Sequence, residues 1–425
     1  MIPALRHSFN GRFSSECYVR LLSLLESRCH TPIKFRVAET PIFLSASILN
    51  DLAHRGAELA HRLIADREYL DAARRAIPHG YCVPDETAHP HFLTADFALV
   101  RNEDGELAPK LVEIQAFPSV FGYQDILCSA YREAFHLPEA LDAYLGDLDE
   151  RTYWDLLRRT ILGDHSPENV VLTEVDPEHQ KTLPDFRLTA DRLGITVLDI
   201  SAIEPLGNQL FYRDASGRPV RIHRIYNRAI ADELIARNLR LAFNLTHSWD
   251  VEWAGHPNWY FLISKFSIPW LSRIEACRDI VPPAVFLDDF LERQGRQALS
   301  QAGVPLPTGT GPETCYSELL LKPLFSFAGK GIQFEPTRAK LEAVPRELRH
   351  DYLLQQRMRF EPTIETPHGM TQAEIRLLYL WPEQGKLTPA IPLVRLGRGK
   401  MMGVDHNKNQ EWVGGSAAFY PAPGL

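Results

Sequence analysis

The sequence predicts a mixed α/β (α+β) fold, and three observations carry that prediction. Leucines and alanines recur at helical spacing over residues 16–27 and 46–77. An apolar run at 169–175 (NVVLTEV), a helical stretch at 177–193 and a second apolar run at 196–200 (TVLDI) make a β-α-β unit, which implies a parallel pair with a right-handed crossover. Other apolar runs come in pairs joined by polar or glycine-bearing turns, as hairpins do.

The chain of 425 residues has room for two or three packed units, and 45% hydrophobic with 24% charged residues is ordinary for a globular protein. A formal charge of −8 without any block rich in Lys and Arg argues against a nucleic-acid partner. The first twelve residues lack the apolar core of a secretion signal, and no stretch approaches the roughly 20 apolar residues that span a bilayer. A cytoplasmic protein with no membrane partner is the expectation. The six cysteines are scattered with no C-x-x-C pair, so neither a zinc cluster nor a disulfide framework is indicated.

The N-terminal region should be helical, the second helix stopping at Pro78, His79 and Gly80. A hairpin follows over 95–124, its turn at residues 102–105. In its second strand, 110–116, Glu113 and Gln115 share a face by the period-two rule and offer hard oxygens of the kind magnesium accepts, or simply a solvated face. Next, Ser119, Phe121 and Gly122 lie in an irregular segment that either binds a polar substrate group or shapes a tight connection. Helices are expected over 126–135 and 138–162, and after the β-α-β unit a hairpin over 210–226 leads into Arg228, which could fork a carboxylate or pair with Asp232. The aromatic-rich stretch 248–270 holds Lys265, whose ammonium must reach water or an anion.

The segment 319–336, LLLKPLFSFAGKGIQFEP, is a strand ending in Lys322, a glycine loop and a second strand. Ser326, Gly329, Lys330 and Gly331 would let backbone N–H groups and a cation approach an anion. It is neither G-x-x-x-x-G-K-[ST] nor G-x-G-x-x-G. Further on, 351–357 reads as a strand carrying Gln355 and Gln356, and its backbone could serve as an adenine edge. Strand 374–381 places Glu374 and Arg376 on one face, and 386–394 pairs with it. Arg395, Arg398 and Lys400 form a basic run, and Gly414, Gly415 and Ser416 read as a second small-residue loop.

The order of these pieces resembles the ATP-grasp ligases, specifically eukaryotic-type glutathione synthetase and glutathionylspermidine synthetase, in which the strand bearing metal ligands lies early in the chain. Glu113, Ile114 and Gln115 followed by Ser119 to Gly122 are similar to that family's E-I-N strand and its Ser-x-Phe-Gly segment. Lys322 and Pro323 before the glycine loop are similar to its K-P hairpin. Gln115 stands where the family has asparagine, Ser326 where the loop offers a metal-binding glutamate, and Thr94 where a substrate-binding arginine precedes Asp96.

The resemblance implies an ATP-grasp fold with an inserted Rossmann-like substrate subdomain and a helical N-terminal region. It divides the chain into 1–164, 165–247 and 248–425. It implies an ATP- and magnesium-dependent ligase that joins a small-molecule carboxylate to an amine through an acyl phosphate. Lys265 and Lys322 would bind phosphates under the glycine loop, with Gln355 and Gln356 near adenine. Glu113, Gln115 and Glu374 would hold magnesium, while Arg228, Arg395 and Arg398 neutralise charge. Ser119, Phe121, Gly122, Gly414, Gly415 and Ser416 would contact substrate. Ser326 and Lys330 make the loop cationic, so it is expected to recruit phosphate rather than metal. A nucleotide-binding protein without catalysis and a small-molecule kinase are the other readings, and a homodimer is left open.

Overall fold

The computed structural model describes all residues except 103, 293, 327–328, 404–406, 408 and 423–425. Its centre is a mostly antiparallel sheet that interleaves both ends of the chain. The order is Ile42–Phe43, Gly414–Pro421, Thr388–Gly397, Gly369–Leu380, Phe92–Arg101 and Leu107–Gln115, with Ile364–Thr366 and Leu141–Asp142 attached at the side. The early hairpin therefore sits beside strands that begin at Gly369, and the first and last thirds of the sequence share one sheet.

Both faces of this sheet are covered. Phe92, Leu378, Ile391 and Phe419 pack with the helix Phe121–Ala134 and the helix Ser15–Cys29. On the other face Leu93, Ala95, Phe97, Ile375 and Leu377 pack with the helix Ala46–Ala65. The single helix expected over 46–77 is two, Ala46–Ala65 and Arg67–Arg75. Asp66 between them is extended and its carboxylate accepts the Tyr69 amide, which starts a new helix in a new direction. The helix expected from Pro138 begins only at Glu150, behind a capping box made by Asp149 and Thr152. The leucines ahead of it are buried differently: Leu141 lies in a short strand, and the Leu145 amide donates to Ala390 O at 2.8 Å.

The β-α-β unit is present as Val170–Glu174, Leu183–Leu193 and Thr196–Asp199, with parallel pairing. It belongs to a parallel sheet in the order Glu252–Ala254, Arg224–Asn227, Val170–Glu174, Thr196–Asp199, so the subdomain takes one strand from beyond residue 247. The hairpin expected over 210–226 is shorter, Gln209–Arg213 with Pro219–Ile222. Arg224–Asn227 leaves it for the parallel sheet.

A third sheet is antiparallel, in the order Ala284–Phe286, Tyr352–Gln356, Leu319–Pro323, Gln333–Phe334. Alternation along its strands separates two faces. Leu319, Leu321 and Leu354 enter a small core with Phe290, while Leu320, Lys322, Leu353 and Gln355 occupy the opposite face. Among the described residues no helix is long and apolar enough to cross a membrane.

Candidate functional site

Period-two alternation and register build the site. On the strand Phe92–Arg101 the even positions Phe92, Thr94 and Asp96 share a face. Asp96 lies opposite Glu113 on one side and Arg376 on the other, and Glu374 lies opposite Arg395. The apolar end of this face lies under the helix Phe121–Ala134, and the polar end carries Asp96, Glu113, Glu374, Arg376 and Arg395. A β-bulge between Asp96 and Phe97 gives the facing strand one extra residue, Val112. Its carbonyl oxygen stands 3.5 Å from Lys322 Nζ, so the bulge is where the third sheet touches the central one.

Asp96 is 1% exposed and accepts two parallel bonds from Arg376, Nε to Oδ1 and Nη2 to Oδ2, each 2.6 Å. Arg395 Nη1 adds a third at 3.0 Å and also bonds Glu374. Burial opposes ionisation of Asp96, but Arg376 and Arg395 outweigh it and hold the carboxyl below its usual range. Glu374 is shifted the other way, because burial there exceeds what Arg395 returns. Burial alone would lower the Arg395 pKa, and Glu374 and Asp96 reverse this and raise it.

Glu113 is held more loosely, 3.6 Å from Arg376 Nη2 and 3.7 Å from Lys265 Nζ, with its side chain 18% exposed. Lys265 is 4% exposed, so it does not snorkel to water. Its ammonium donates to Ser326 O at 2.5 Å and lies 3.5 Å from Ser326 Oγ, which ties it to the glycine loop. Lys322 is 3% exposed. Burial and the neighbouring Lys265 depress its pKa to about 8, against the pull of Glu113, Glu374 and Asp96. The cluster thus brings Asp96, Glu113 and Glu374 together with Arg376, Arg395, Lys265 and Lys322, and Asp232 also reaches Lys265.

On the same face of the third sheet as Lys322, Gln355 is fully buried, and neither atom of its amide has a hydrogen-bond partner among the described residues. A buried amide with both groups unmet points to something that binds there. In the loop beyond, Gly329 and Gly331 have φ of 72° and 80°, the left-handed region that a side chain resists. Lys330 between them is exposed, while Phe327 and Ala328 lie outside the described residues. Phe325 packs edge-on against Phe261, centroids 5.1 Å apart, pinning the start of the loop.

The other sequence candidates fall elsewhere. Arg228 is buried at the carboxyl ends of the parallel strands, where it bonds Pro118 O, lies 3.8 Å from Asp185 and stacks on Phe117 and Phe186, so it is not in the arginine pair that flanks Asp96. Phe121 is in the core, and its carbonyl accepts from Tyr153 Oη. Gly122 is where two helices touch, since a Cβ there would meet Thr189 Oγ1 at 2.5 Å. Asp185 accepts the Tyr123 amide at 2.9 Å, so that helix N-terminus is already occupied by the protein's own carboxylate. Ser119 is half-buried ahead of it.

Gly414, Gly415 and Ser416 are not a loop but the start of the strand Gly414–Pro421. Gly414 has φ of 124° and approaches the Arg36 carbonyl, and Ser416 Oγ donates to Thr40 O at 2.6 Å. Arg398 turns to Thr371 and Thr366 rather than to the charged face. Gln356 spends its backbone amide on Pro283 O. Glu374, expected as a metal ligand, is engaged by Arg395, while Gln115 stays beside Glu113 on the charged face, opposite Thr94. Sequence reasoning assigned no role to Asp96, the most heavily bonded member. A lone aspartate inside the apolar strand FLTADFALV was the signal, because a buried carboxylate requires cations around it.

At the exit of the Glu113 strand, Ala116, Phe117 and Pro118 meet Asn227, Tyr260 and Phe261 around a small cavity of about 30 Å³ at the carboxyl ends of the parallel strands. No family model matches the chain, and no curated protein matches it in sequence. Among solved structures it is similar to the apo form of a glutathione synthetase-like effector from Globodera pallida, at 11% identity and a TM-score of 0.57, covering 95% of this chain and 96% of that one. The chain has a glutathione synthetase-like fold. A gamma-glutamylcysteine synthetase-like protein from Methylobacillus flagellatus is also similar, at 13% identity and a TM-score of 0.35 over 89% of each chain. The third sheet and its glycine loop face the charged end of the central sheet across Lys322 and Val112.

Proposed function

We propose that the chain binds ATP between the third sheet and the charged face and uses it to join a carboxylate to an amine. The observation that carries this reading is the convergence of two buried lysines, Lys265 and Lys322, on Glu113, next to the unmet amide of Gln355. These groups fit a nucleotide. Gln355 offers N–H donors and a carbonyl acceptor to a base, and the two buried lysines suit phosphates. When bound, ATP supplies the phosphoryl group that activates a carboxylate as an acyl phosphate.

Lys322 and Lys265 hold phosphate oxygens, the backbone around Gly329 and Gly331 closes over them, and Arg395 lies where it neutralises charge as it develops. The donor set does not fit a resident magnesium ion. Asp96 and Glu374 are engaged by arginines, and among the described residues no group of three or more ligating side chains is arranged for a metal. Among the described residues, Glu113, Gln115 and Thr94 are the other oxygen donors on this face, and of these only Glu113 carries a charge.

The engaged carboxylates favour one second reading, nucleotide binding without turnover. Incubation with ATP, magnesium and pools of acids and amines separates them. ADP release that needs both an acid and an amine supports ligation. Release with a single acceptor marks a kinase, and binding of an ATP analogue without ADP release marks the non-catalytic reading.

A further inference from the structure

A second pocket, about 260 Å³, is built from elements that contribute nothing to the charged face, between the helix Pro3–Arg12, the strand Ile42–Phe43 and the turn after the helix Phe121–Ala134. Its body is apolar: Leu5, Phe9, Phe43, Phe135 and Leu141 line it, with the Phe9 and Phe135 rings 4.9 Å apart. The pocket opens to solvent beside Arg12 and His136, and an apolar wall left facing water forfeits contacts that a ligand tail would supply.

The lining contains Arg12 and no carboxylate. Arg12 and His136 are both exposed members of the wall. Among the described residues the Arg12 guanidinium bonds only Ser8, Oγ at 2.9 Å and O at 3.3 Å, and no ion pair with an acid forms there.

We propose that this cavity binds a medium-chain aliphatic monocarboxylate, its tail against Phe9, Phe43 and Phe135 and its carboxylate at Arg12. Size and charge each point to that class. A dry 150 Å³ cavity holds a benzene ring, so this one accommodates roughly ten non-hydrogen atoms, the size of octanoate. The unpaired cation at the rim selects an acid over an amine or a neutral chain. Nothing in this inference depends on nucleotide binding or ligation.

Calorimetric titration of the full chain with octanoate, octan-1-ol and octylamine tests it. Octanoate should bind saturably at one site, at least about tenfold more tightly than octylamine. Arg12→Glu should weaken octanoate by about tenfold or more and remove the preference for the acid. Leu5→Trp, which fills the void from an exposed helix, should abolish binding of all three. The proposal is overturned by an absence of saturable octanoate binding, by octylamine binding as well as octanoate, or by undiminished binding in Leu5→Trp. Arg12→Glu keeps the test decisive even where Leu5→Trp fails to fold, since Arg12 lies on the surface.

Discussion

Asp96 and Arg376 face each other across two antiparallel strands and are joined by two 2.6 Å bonds in a site where the aspartate is 1% exposed. Such a pair is costly to break on one side because the remaining charge stays buried. Asp96→Asn should lower unfolding free energy by about 3–5 kcal/mol in urea titrations, whereas replacing both residues, Asp96→Asn with Arg376→Met, should recover a large part of that loss. Additive losses in the double variant would show that the two side chains do not act as a pair.

Lys322 carries a pH signature. Its pKa falls from 10.5 to about 8 in the folded chain, so between these values the unfolded state binds more protons and stability rises with pH. The burial penalty, on the order of 3 kcal/mol, is fully present below pH 8 and is relieved as pH approaches 10.5. Binding of an ATP analogue should show the opposite trend, weakening above pH 8 as the ammonium loses its proton. In Lys322→Met both trends should disappear, with affinity at pH 7 lower by about tenfold or more and no loss of stability. A flat affinity profile from pH 7 to 9.5 in the parent chain would remove Lys322 from the phosphate site.

Gln355 should separate folding from binding. Gln355→Leu removes a buried amide with no partner, so the apo protein should gain about 1–2 kcal/mol in thermal or urea unfolding. The same change should cost about tenfold in affinity for the ATP analogue. Equal nucleotide affinity in both proteins would mean that the amide serves something other than a base.

Glycines divide by location. At Gly414 an added Cβ would lie 2.4 Å from the Arg36 carbonyl at a φ of 124°, so Gly414→Ala should lose more than about 2 kcal/mol of stability. Lys330→Ala, in the exposed glycine loop, should leave stability within about 0.5 kcal/mol and weaken only nucleotide binding. A thermally unchanged Gly414→Ala would return that segment to the role of a ligand loop.

The local patterns were legible in the sequence. The hairpin around Lys322, the β-α-β unit and the shared face of Glu113 and Gln115 follow from periodicity, which is a short-range signal. What periodicity could not supply was register between strands far apart in the chain, and the Asp96–Arg376 pair depends entirely on it. Gly414 and Gly415 were misread for a related reason. Small residues mark either a loop or a close approach of another backbone, and only the position of Arg36 decides between them. Arg228 and Glu374 were expected to meet substrate charge and magnesium; in the structure Arg228 bonds Pro118 O and lies near Asp185, and Glu374 is bonded by Arg395.

The interleaving of the central sheet also has a consequence for how the polypeptide is made. Phe92–Arg101 is an inner strand whose second neighbour begins at Gly369. About 270 residues of synthesis separate them, which at typical elongation rates is roughly ten to fifty seconds. Throughout that interval a nascent hairpin bearing Phe92, Leu93, Phe97 and Leu99 exposes an unsatisfied β edge on the ribosome. Chains truncated before Gly369 should therefore aggregate instead of folding as a shorter domain, and full-length yield should depend on holdase chaperones that cover that edge.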